Sequence, residues 1–167
     1  MSDRFDVGAA VPVFNGERYL AAALRSVLDQ SHPVGDIVVV DDGSDDASVA
    51  VAVEIGPPVR VVSQPHSGVG DARTRAVSLV RGDVVVLLDA DDLLTPHSVE
   101  SRVEVLRARP EVDIVYGHIR CFTECVDGVP VPLDEPRPAH VAGAMLVRRS
   151  AFERVGPFTP GLRAAEG

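Results

Sequence analysis

Short apolar runs alternate with amphipathic stretches along the first two thirds of the chain. The apolar runs, several of them rich in β-branched residues, predict strands at 7–14, 36–40, 59–63 and 83–88. Between and after them, apolar residues recur at helical spacing over 17–30, 47–55, 68–80 and 95–107, and Thr95-Pro96 is typical of a helix start. Strands that alternate with helices imply βαβ units. The sequence therefore predicts an α/β fold with a mostly parallel sheet flanked by helices.

The pattern is weaker in the last third of the chain. It predicts a strand at 112–116 with a continuation through 119–122, a strand at 143–147 and a short helix at 148–155. The segment 126–140 is rich in proline and acidic residues and predicts a loop. At 167 residues, the chain is expected to form one domain.

The predicted strand at 83–88 runs directly into three acids, Asp89, Asp91 and Asp92. Unpaired carboxylates are very costly to bury, so these side chains are expected at the carboxyl end of the strand, in water or on a cation. Ligands bind at this edge in open α/β sheets. The spacing of Asp89 and Asp91 lets both carboxylates face one hard cation and a phosphate. An isolated Asp-x-Asp is nevertheless more often a solvated turn.

A second acid cluster follows the strand at 36–40, so two acidic strand ends are expected to meet at one ligand-binding edge. Ser44 is predicted to cap the next helix, with Asp45 and Asp46 in its first turn, where the helix dipole favours negative charge. Asp42 is interpreted in the same way, as an acid at a helix start.

Composition narrows the class of protein. Hydrophobic residues make up 46% of the chain and charged residues 25%, as in an ordinary soluble protein. The net charge of −9 argues against nucleic acid or an anionic membrane as the main partner, and an anionic ligand would need a cation or local arginines. Two cysteines are too few for a disulfide scaffold and indicate free thiols in a reducing, cytoplasmic compartment. Neither a secretory signal nor a transmembrane segment is expected.

Five segments, each a weak signal alone, become specific through their order and spacing. They are Val11-Pro12-Val13-Phe14-Asn15, Val40-Asp41-Asp42-Gly43-Ser44-Asp45, Gly68-Val69-Gly70-Asp71-Ala72-Arg73, Leu88-Asp89-Ala90-Asp91-Asp92 and Gly156-Pro157-Phe158. Together they resemble the inverting, metal-dependent glycosyltransferases of family 2. The resemblance spans nearly the whole chain and implies the GT-A fold, with a nucleotide-binding half at about 1–93 and a partial acceptor half at about 94–167.

The resemblance implies a role for each matched position. It assigns nucleotide contacts to Pro12, Phe14, Asn15, Glu17, Asp41, Arg73 and Asp89, and it assigns a divalent cation, Mn²⁺ or Mg²⁺, to Asp91. In these roles Asp41 binds the base, Arg73 reaches the nucleotide phosphates and Asp89 faces the ribose. By residue type alone, Phe14 also fits a core position, Glu17 the support of a helix N-terminus, and Arg73 a helix surface.

The implied activity is transfer of a sugar from a nucleotide-diphosphate sugar, with UDP as the common leaving group, to an acceptor hydroxyl with inversion. Inversion needs a general base, an Asp that in the family follows the Gly-x-Phe turn. Here Glu166 matches the first acid of that segment, and Gly167 is the last residue. Glu166 is therefore the weak candidate for the base.

Two alternatives to an intact enzyme follow: a non-catalytic nucleotide-sugar-binding module, and a fragment that lacks the base and much of the acceptor half. An incomplete C-terminal part would expose apolar surface near 145–158, from which self-association is expected. A phosphoryl-transfer receiver domain also gathers acids at strand ends, but it needs a lysine, and the chain has none.

Overall fold

A computed structural model of the protein describes residues 5–126 and 129–158. The first part of the chain forms four strand–helix pairs: β1 (Val7–Val13), α1 (Leu20–Leu28), β2 (Val34–Asp41), α2 (Ser48–Ile55), β3 (Val59–Ser63), α3 (Val69–Leu79), β4 (Val84–Leu87) and α4 (Ser98–Ala108). The remainder contains β5 (Ile114–Tyr116), β6 (His118–Ile119), β7 (Phe122–Val126), β8 (Val129–Pro132), β9 (Arg137–Pro138), a 3₁₀ turn (Ala142–Ala144), β10 (Met145–Arg148) and α5 (Arg149–Val155).

Six strands form one sheet in the order β3-β2-β1-β4-β10-β5. The strands β1 to β4 are parallel to one another, and β10 is antiparallel to both of its neighbours. The predicted α/β fold with a mostly parallel sheet is therefore confirmed. Because β10 enters between β4 and β5, residues from both ends of the chain share one sheet.

The sheet is covered on both faces, which explains why its central strands are apolar without alternation. On β4, Val84 and Val86 pack into a cluster with α1, α2 and α4, whereas Val85 and Leu87 pack with α3 on the other face. Successive strand residues point to opposite faces, so each strand feeds both clusters.

The predicted loop at 126–140 is wrong in part, because this segment contains β8 and β9. The strand β8 pairs with β7, and β9 pairs with β6, in two small antiparallel sheets. Their prolines are compatible with this arrangement because each strand of a two-stranded ribbon leaves one row of backbone groups unpaired.

The predicted start of α4 at Thr95-Pro96 is also wrong, since the helix begins at Ser98. The carbonyl oxygen of Thr95 accepts a bond from the Ser98 amide and another from the Gln30 side chain, so this segment forms a turn before the helix.

The segment 145–158 is more buried than expected. Leu146 and Val147 lie in the core, and Val155 is the large apolar residue that this segment leaves exposed, at 84%. Self-association stays a prediction. None of the described helices has the length and apolar character needed to cross a membrane.

Candidate functional site

A cleft of about 430 Å³ lies where β1 and β4 end. Its walls come from five segments of the chain: Pro12, Val13, Phe14, Asn15, Gly16, Tyr19, Asp42, His66, Val69, Ala72, Arg73, Asp89, Ala90 and Asp91. Six of the eight residues predicted to bind nucleotide or metal in the described range lie on these walls: Pro12, Phe14, Asn15, Arg73, Asp89 and Asp91. The predicted ligand-binding edge is therefore present as one continuous cleft.

A more open groove of about 500 Å³ lies between residues 31–33 and α4. Its polar side chains bind one another, since the Ser31 hydroxyl donates to Glu100 and His97 lies 3.1 Å from the same carboxylate. The cleft at the strand ends is thus the stronger candidate for a ligand site.

The loops after β1 and β2 are joined by hydrogen bonds at Asn15, whose backbone has a φ of 51°. The Asn15 amide donates to the Ser44 hydroxyl at 2.9 Å, and its side-chain oxygen accepts from the Asp45 amide at 3.0 Å. The prediction of Ser44 as the cap of α2 is wrong, because its hydroxyl binds Asn15 and the helix begins at Ser48. Asn15 is positioned on the cleft wall by these contacts.

Glu17 strengthens the same junction. Its carboxylate accepts from the Ala47 amide at 2.8 Å, and its own amide donates to Asp46 at 2.9 Å. The structure therefore gives Glu17 the support of a helix N-terminus, the alternative considered from its residue type. The predicted contact of Glu17 with the nucleotide stays untested.

The two acids after β2 differ in their surroundings. Asp41 is buried, and its carboxylate accepts from the Ser44 amide at 3.1 Å. Asp42 is also buried, at 2% exposure, and it is the one that lies on the cleft wall. The interpretation of Asp42 as a helix-start acid is wrong, because its carboxylate binds the loop 64–68 and lies several residues before α2.

The Asp42 carboxylate organises that loop. It accepts from the Gln64 side chain at 2.7 Å, the Ser67 amide at 2.9 Å and the Gly68 amide at 2.8 Å. Burial alone would raise the pKa of Asp42, but these hydrogen bonds and the nearby His66 outweigh it and hold the pKa below the ordinary 3.8. The acid is therefore ionised at neutral pH.

The aromatic end of the cleft is formed by Phe14 and His66. Phe14 is 50% exposed, so its alternative assignment to the core is wrong. The His66 ring stacks on it with a centroid distance of 4.2 Å and an interplanar angle of 31°. His66 was not predicted from the sequence, because nothing in its local sequence places it against Phe14.

The charged end is formed by α3 and the end of β4. An amino group of Arg73 donates to Asp89 at 2.6 Å, and the Arg73 side chain is 16% exposed, so it is not a surface residue of the helix. Its Nε is buried and has no hydrogen-bond partner among the described residues. A buried donor without a partner is costly, and an anion in the cleft would lower that cost.

Three carboxylates crowd the same edge. Partial burial of its carboxyl, with repulsion from Asp89 and Asp91, raises the pKa of Asp92 to about 6. The residue keeps part of its surface in solvent. This edge therefore concentrates negative charge of the kind that a cation would neutralise.

The 3₁₀ turn 142–144 closes this side of the acids. A Cβ on Gly143 would lie 2.7 Å from the Asp92 carboxylate and 3.6 Å from that of Asp89. A side chain at this position would force the Asp92 carboxylate to move away. The turn is therefore positioned directly against the acid cluster.

Arg102 of α4 holds the turn from beneath. It is buried, at 4% exposure, and donates to the Ala144 carbonyl oxygen at 2.9 Å and to the Ser98 carbonyl oxygen at 2.9 Å. Burial lowers the pKa of Arg102 to about 10. The role of Arg102 was not predicted from the sequence, because the Ala144 carbonyl that it binds is 42 positions away.

The described residues contain no group of three or more His, Cys, Asp or Glu side chains that could hold a metal by itself. The all-oxygen donors at this edge nevertheless fit Mn²⁺ or Mg²⁺, which commonly use one or two carboxylates and complete their coordination with phosphate oxygens and water. The proposed base Glu166 lies outside the described residues, and its role stays a prediction.

Known proteins are similar to this chain in sequence and in fold. An uncharacterized glycosyltransferase of Nostoc sp. (strain PCC 7120) is 32% identical over 133 residues, which are 77% of this chain and 40% of that protein. Chondroitin synthase of Escherichia coli is 33% identical over 113 residues, which are 66% of this chain and 16% of the synthase. The chain spans less than half the length of these curated relatives.

Solved structures match in fold. Residues 1–349 of S. aureus TarS superpose with a TM-score of 0.72 at 21% identity, over 96% of this chain and 52% of that one. The same TarS fragment in complex with UDP-GlcNAc gives a TM-score of 0.69 at 21% identity, over 89% of this chain and 47% of that one. The mannosyltransferase PcManGT of Pyrobaculum calidifontis, in complex with GDP-Man and Mn²⁺, gives 0.71 at 23% identity, over 93% and 48%.

A family model also matches this chain. Residues 9–166 match Glycosyl transferase family 2, over nearly the whole chain. The structural neighbours agree with the α/β fold and its mostly parallel sheet. The chain belongs to glycosyl transferase family 2 and has the GT-A fold.

Proposed function

We propose that this chain binds a nucleotide-diphosphate sugar in the cleft, most simply a UDP-sugar, and that the sugar is transferred to an acceptor hydroxyl with inversion. The observation that carries the proposal is the continuity of the cleft. It joins an exposed aromatic ring, a largely buried arginine–carboxylate pair and an exposed acid on adjoining walls. An aromatic face, a guanidinium and carboxylates suit the base, the phosphates and the ribose of one nucleotide.

Different residues along the cleft serve the different parts of the nucleotide. Phe14 offers a half-exposed ring for stacking on a base. Asp89 faces the ribose, held in place by Arg73. The TarS and PcManGT structures support a nucleotide sugar as the ligand class, since they are complexes with UDP-GlcNAc and with GDP-Man respectively.

Asp91 would hold Mn²⁺ or Mg²⁺. The carboxylate is exposed on the cleft wall, and two further acids surround it, so a cation is favoured there by charge and by ligand type. When bound, such a cation stabilises the negative charge that develops on a leaving diphosphate. Arg73 contributes positive charge from the protein itself at the same place.

Isothermal titration of UDP into the full chain, with Mn²⁺ and with a chelator, tests the proposal. Binding is expected to need the metal, and Asp91→Asn should weaken it by about tenfold or more, because a metal-ligating charge is lost. Asp45→Asn is the matched control, since it removes one exposed acid outside the cleft and should leave the affinity unchanged. Equal UDP affinity in the Asp91→Asn variant would contradict the metal role.

Turnover is tested separately from binding. Release of UDP from a UDP-sugar, compared between the parent chain and Glu166→Gln, distinguishes an enzyme from a nucleotide-sugar-binding module. Release that is lost in the variant supports Glu166 as the base. Binding without release in the parent chain supports the module.

A further inference from the structure

We propose that Arg102 is a positioning residue, which fixes the 3₁₀ turn before β10 against Asp89 and Asp92 and thereby sets the affinity of this edge for Mn²⁺ or Mg²⁺. The inference rests on the proposed function, since it takes the acids after β4 to bind a cation together with the nucleotide. Arg102 lies on α4 and is not one of the residues that line the cleft. The family resemblance assigns it no role.

The 3₁₀ turn continues the line of β10 toward the acids. In the antiparallel pairing of β10 with β4, Leu146 lies opposite Val86, and the same register carried three residues further places Gly143 opposite Asp89. The contacts agree, since a Cβ on Gly143 would lie 3.8 Å from the Asp89 backbone nitrogen and 2.7 Å from the Asp92 carboxylate. A shift of the turn would therefore change the space that both carboxylates have.

The turn is held differently on the two faces of the sheet. On the side of α3, Ala142 packs against the apolar cluster of that face, a contact that has no fixed direction. On the side of α4, the Ala144 carbonyl oxygen accepts from Nη1 of Arg102 at 2.9 Å and from the Gly117 amide at 2.9 Å. Hydrogen bonds depend on distance and angle, so these two bonds determine where the turn lies.

The guanidinium of Arg102 is itself fixed by α4. Its Nε donates to the Ser98 carbonyl oxygen at 2.9 Å, and its Nη2 donates to the Ser98 hydroxyl at 2.7 Å. Because a guanidinium is planar and its donors have a rigid geometry, these bonds direct Nη1 at Ala144. Ser98 begins the helix that follows the acid segment, so one side chain connects both flanks of the acid cluster.

The burial of Arg102 is costly, and stability alone does not account for it. The residue is 4% exposed. In the described part of the chain its hydrogen-bond partners are carbonyl and hydroxyl oxygens, with no carboxylate among them. A buried charge without an opposite charge is less favourable than an apolar residue of similar volume. Departures of this kind from a stable core are expected at functional sites, and control of the turn supplies the function.

Titration of Mn²⁺ into the full chain at saturating UDP tests the inference. Free Mn²⁺ is measured by its electron paramagnetic resonance signal, and the Mn²⁺ bound by UDP alone is subtracted. Arg102→Met keeps an apolar stem but removes the donors, so the Kd for Mn²⁺ should rise by about tenfold, as for other residues that orient metal ligands. Arg102→Lys keeps one donor for the Ala144 carbonyl oxygen, so its Kd should lie between those of the parent and Arg102→Met.

Arg148→Met is the matched control, because Arg148 makes the same kind of bonds at another place on β10. It donates to the backbone carbonyl oxygens of Val112 and Leu106, and neither bond reaches the turn. Its loss should lower the temperature of thermal unfolding as Arg102→Met does, whereas the Kd for Mn²⁺ should stay within about twofold of the parent. The pair therefore separates the position of the turn from the stability of the fold.

The outcomes also separate this inference from the proposed function. A Kd for Mn²⁺ that is unchanged in Arg102→Met, or that rises equally in Arg148→Met, overturns the role of Arg102 and leaves the proposed cation site in place. Failure of the folded parent chain to bind Mn²⁺ with UDP overturns both. If Arg102→Met does not fold, Arg102→Lys and Ser98→Ala make the same comparison with Arg148→Met. Each should raise the Kd, because each removes a bond that fixes the donor to Ala144.

Discussion

Gly143 lets the turn 142–144 lie directly against the acids. Because it has no side chain, it also leaves these acids free to bind a metal. Gly143→Ala would place a methyl group 2.7 Å from the tip of Asp92. The carboxylate can rotate away, so the fold should survive while the acid cluster is displaced. We expect Mn²⁺-dependent UDP affinity to fall by about tenfold, as for other residues that orient metal ligands.

Gly117→Ala is the matched control for this substitution. Its added Cβ would meet the Ala144 carbonyl oxygen at 3.7 Å, an ordinary contact, so the turn should keep its place. Titration of UDP with Mn²⁺ into both variants makes the comparison. If Gly143→Ala binds UDP as the parent does, the turn does not position the acids.

Some residues at the site could be predicted from the sequence around them, whereas others depend on partners that are distant in the chain. Asp89 and Asp91 could be predicted because they follow a strand that its own neighbours define, whereas the site role of Phe14 was implied by the family resemblance. His66 and Arg102 could not, because each acts through a partner distant in sequence. The sequence also could not tell which of two adjacent aspartates lines the cleft, since that depends on how β2 ends within the sheet.

The loop between β3 and α3 is the element that Asp42 holds to the sheet. In Asp42→Asn, an amide NH₂ group replaces one carboxylate oxygen. This group is a donor and would face N–H donors, so at least one contact with 64–68 is lost. We expect a loss of about 1–3 kcal/mol in the free energy of unfolding at neutral pH, measured by urea titration. UDP affinity should fall with it, because His66 belongs to this loop.

The effect should depend on pH in a definite direction. The pKa of Asp42 is lowered in the folded state, so its stabilisation is present above the ordinary 3.8 and is lost as pH falls through the folded value. The difference between parent and variant should therefore shrink below about pH 3.8. Asp45→Asn, at an exposed acid of the neighbouring loop, should stay within about 0.5 kcal/mol throughout. A similar loss in that control would assign the effect to net charge.

Helices and strands with a clear hydrophobic periodicity were predicted closely. Strands that depend on pairing with a neighbouring strand were not. The prediction for β3 coincides with the observed Val59–Ser63, and the cores of α1 to α4 lie within the predicted ranges to within a residue. The strands β8 and β9 were missed because their prolines and acids favour a loop locally, and only pairing with β7 and β6 makes them strands. The start of α4 was misplaced because Thr95 binds Gln30 and Ser98 through its carbonyl.

At the scale of the whole molecule, the sheet itself joins the two predicted halves of the chain. The strand β10, which comes from the later half, pairs with β4 from the earlier one, and Leu146 lies opposite Val86. Leu146 is fully buried in the core cluster that α1, α2 and α4 share. The predicted nucleotide-binding half therefore shares its sheet with a strand from the predicted acceptor half, and we expect the chain to unfold as one unit.

The two tyrosines offer a direct test, because Tyr19 lies in the first half, Tyr116 lies in the second, and the chain has no tryptophan. In Tyr19→Phe and Tyr116→Phe, the remaining tyrosine reports the unfolding of one half by fluorescence. The two urea transitions should coincide. Leu146→Ala should shift both by the same amount, about 2–5 kcal/mol, whereas Leu133→Ala, at a residue 64% exposed, should shift neither. Transitions that separate, or a Leu146→Ala shift confined to Tyr116, would instead make the halves independent folding units, and the cleft would then belong to the first half alone.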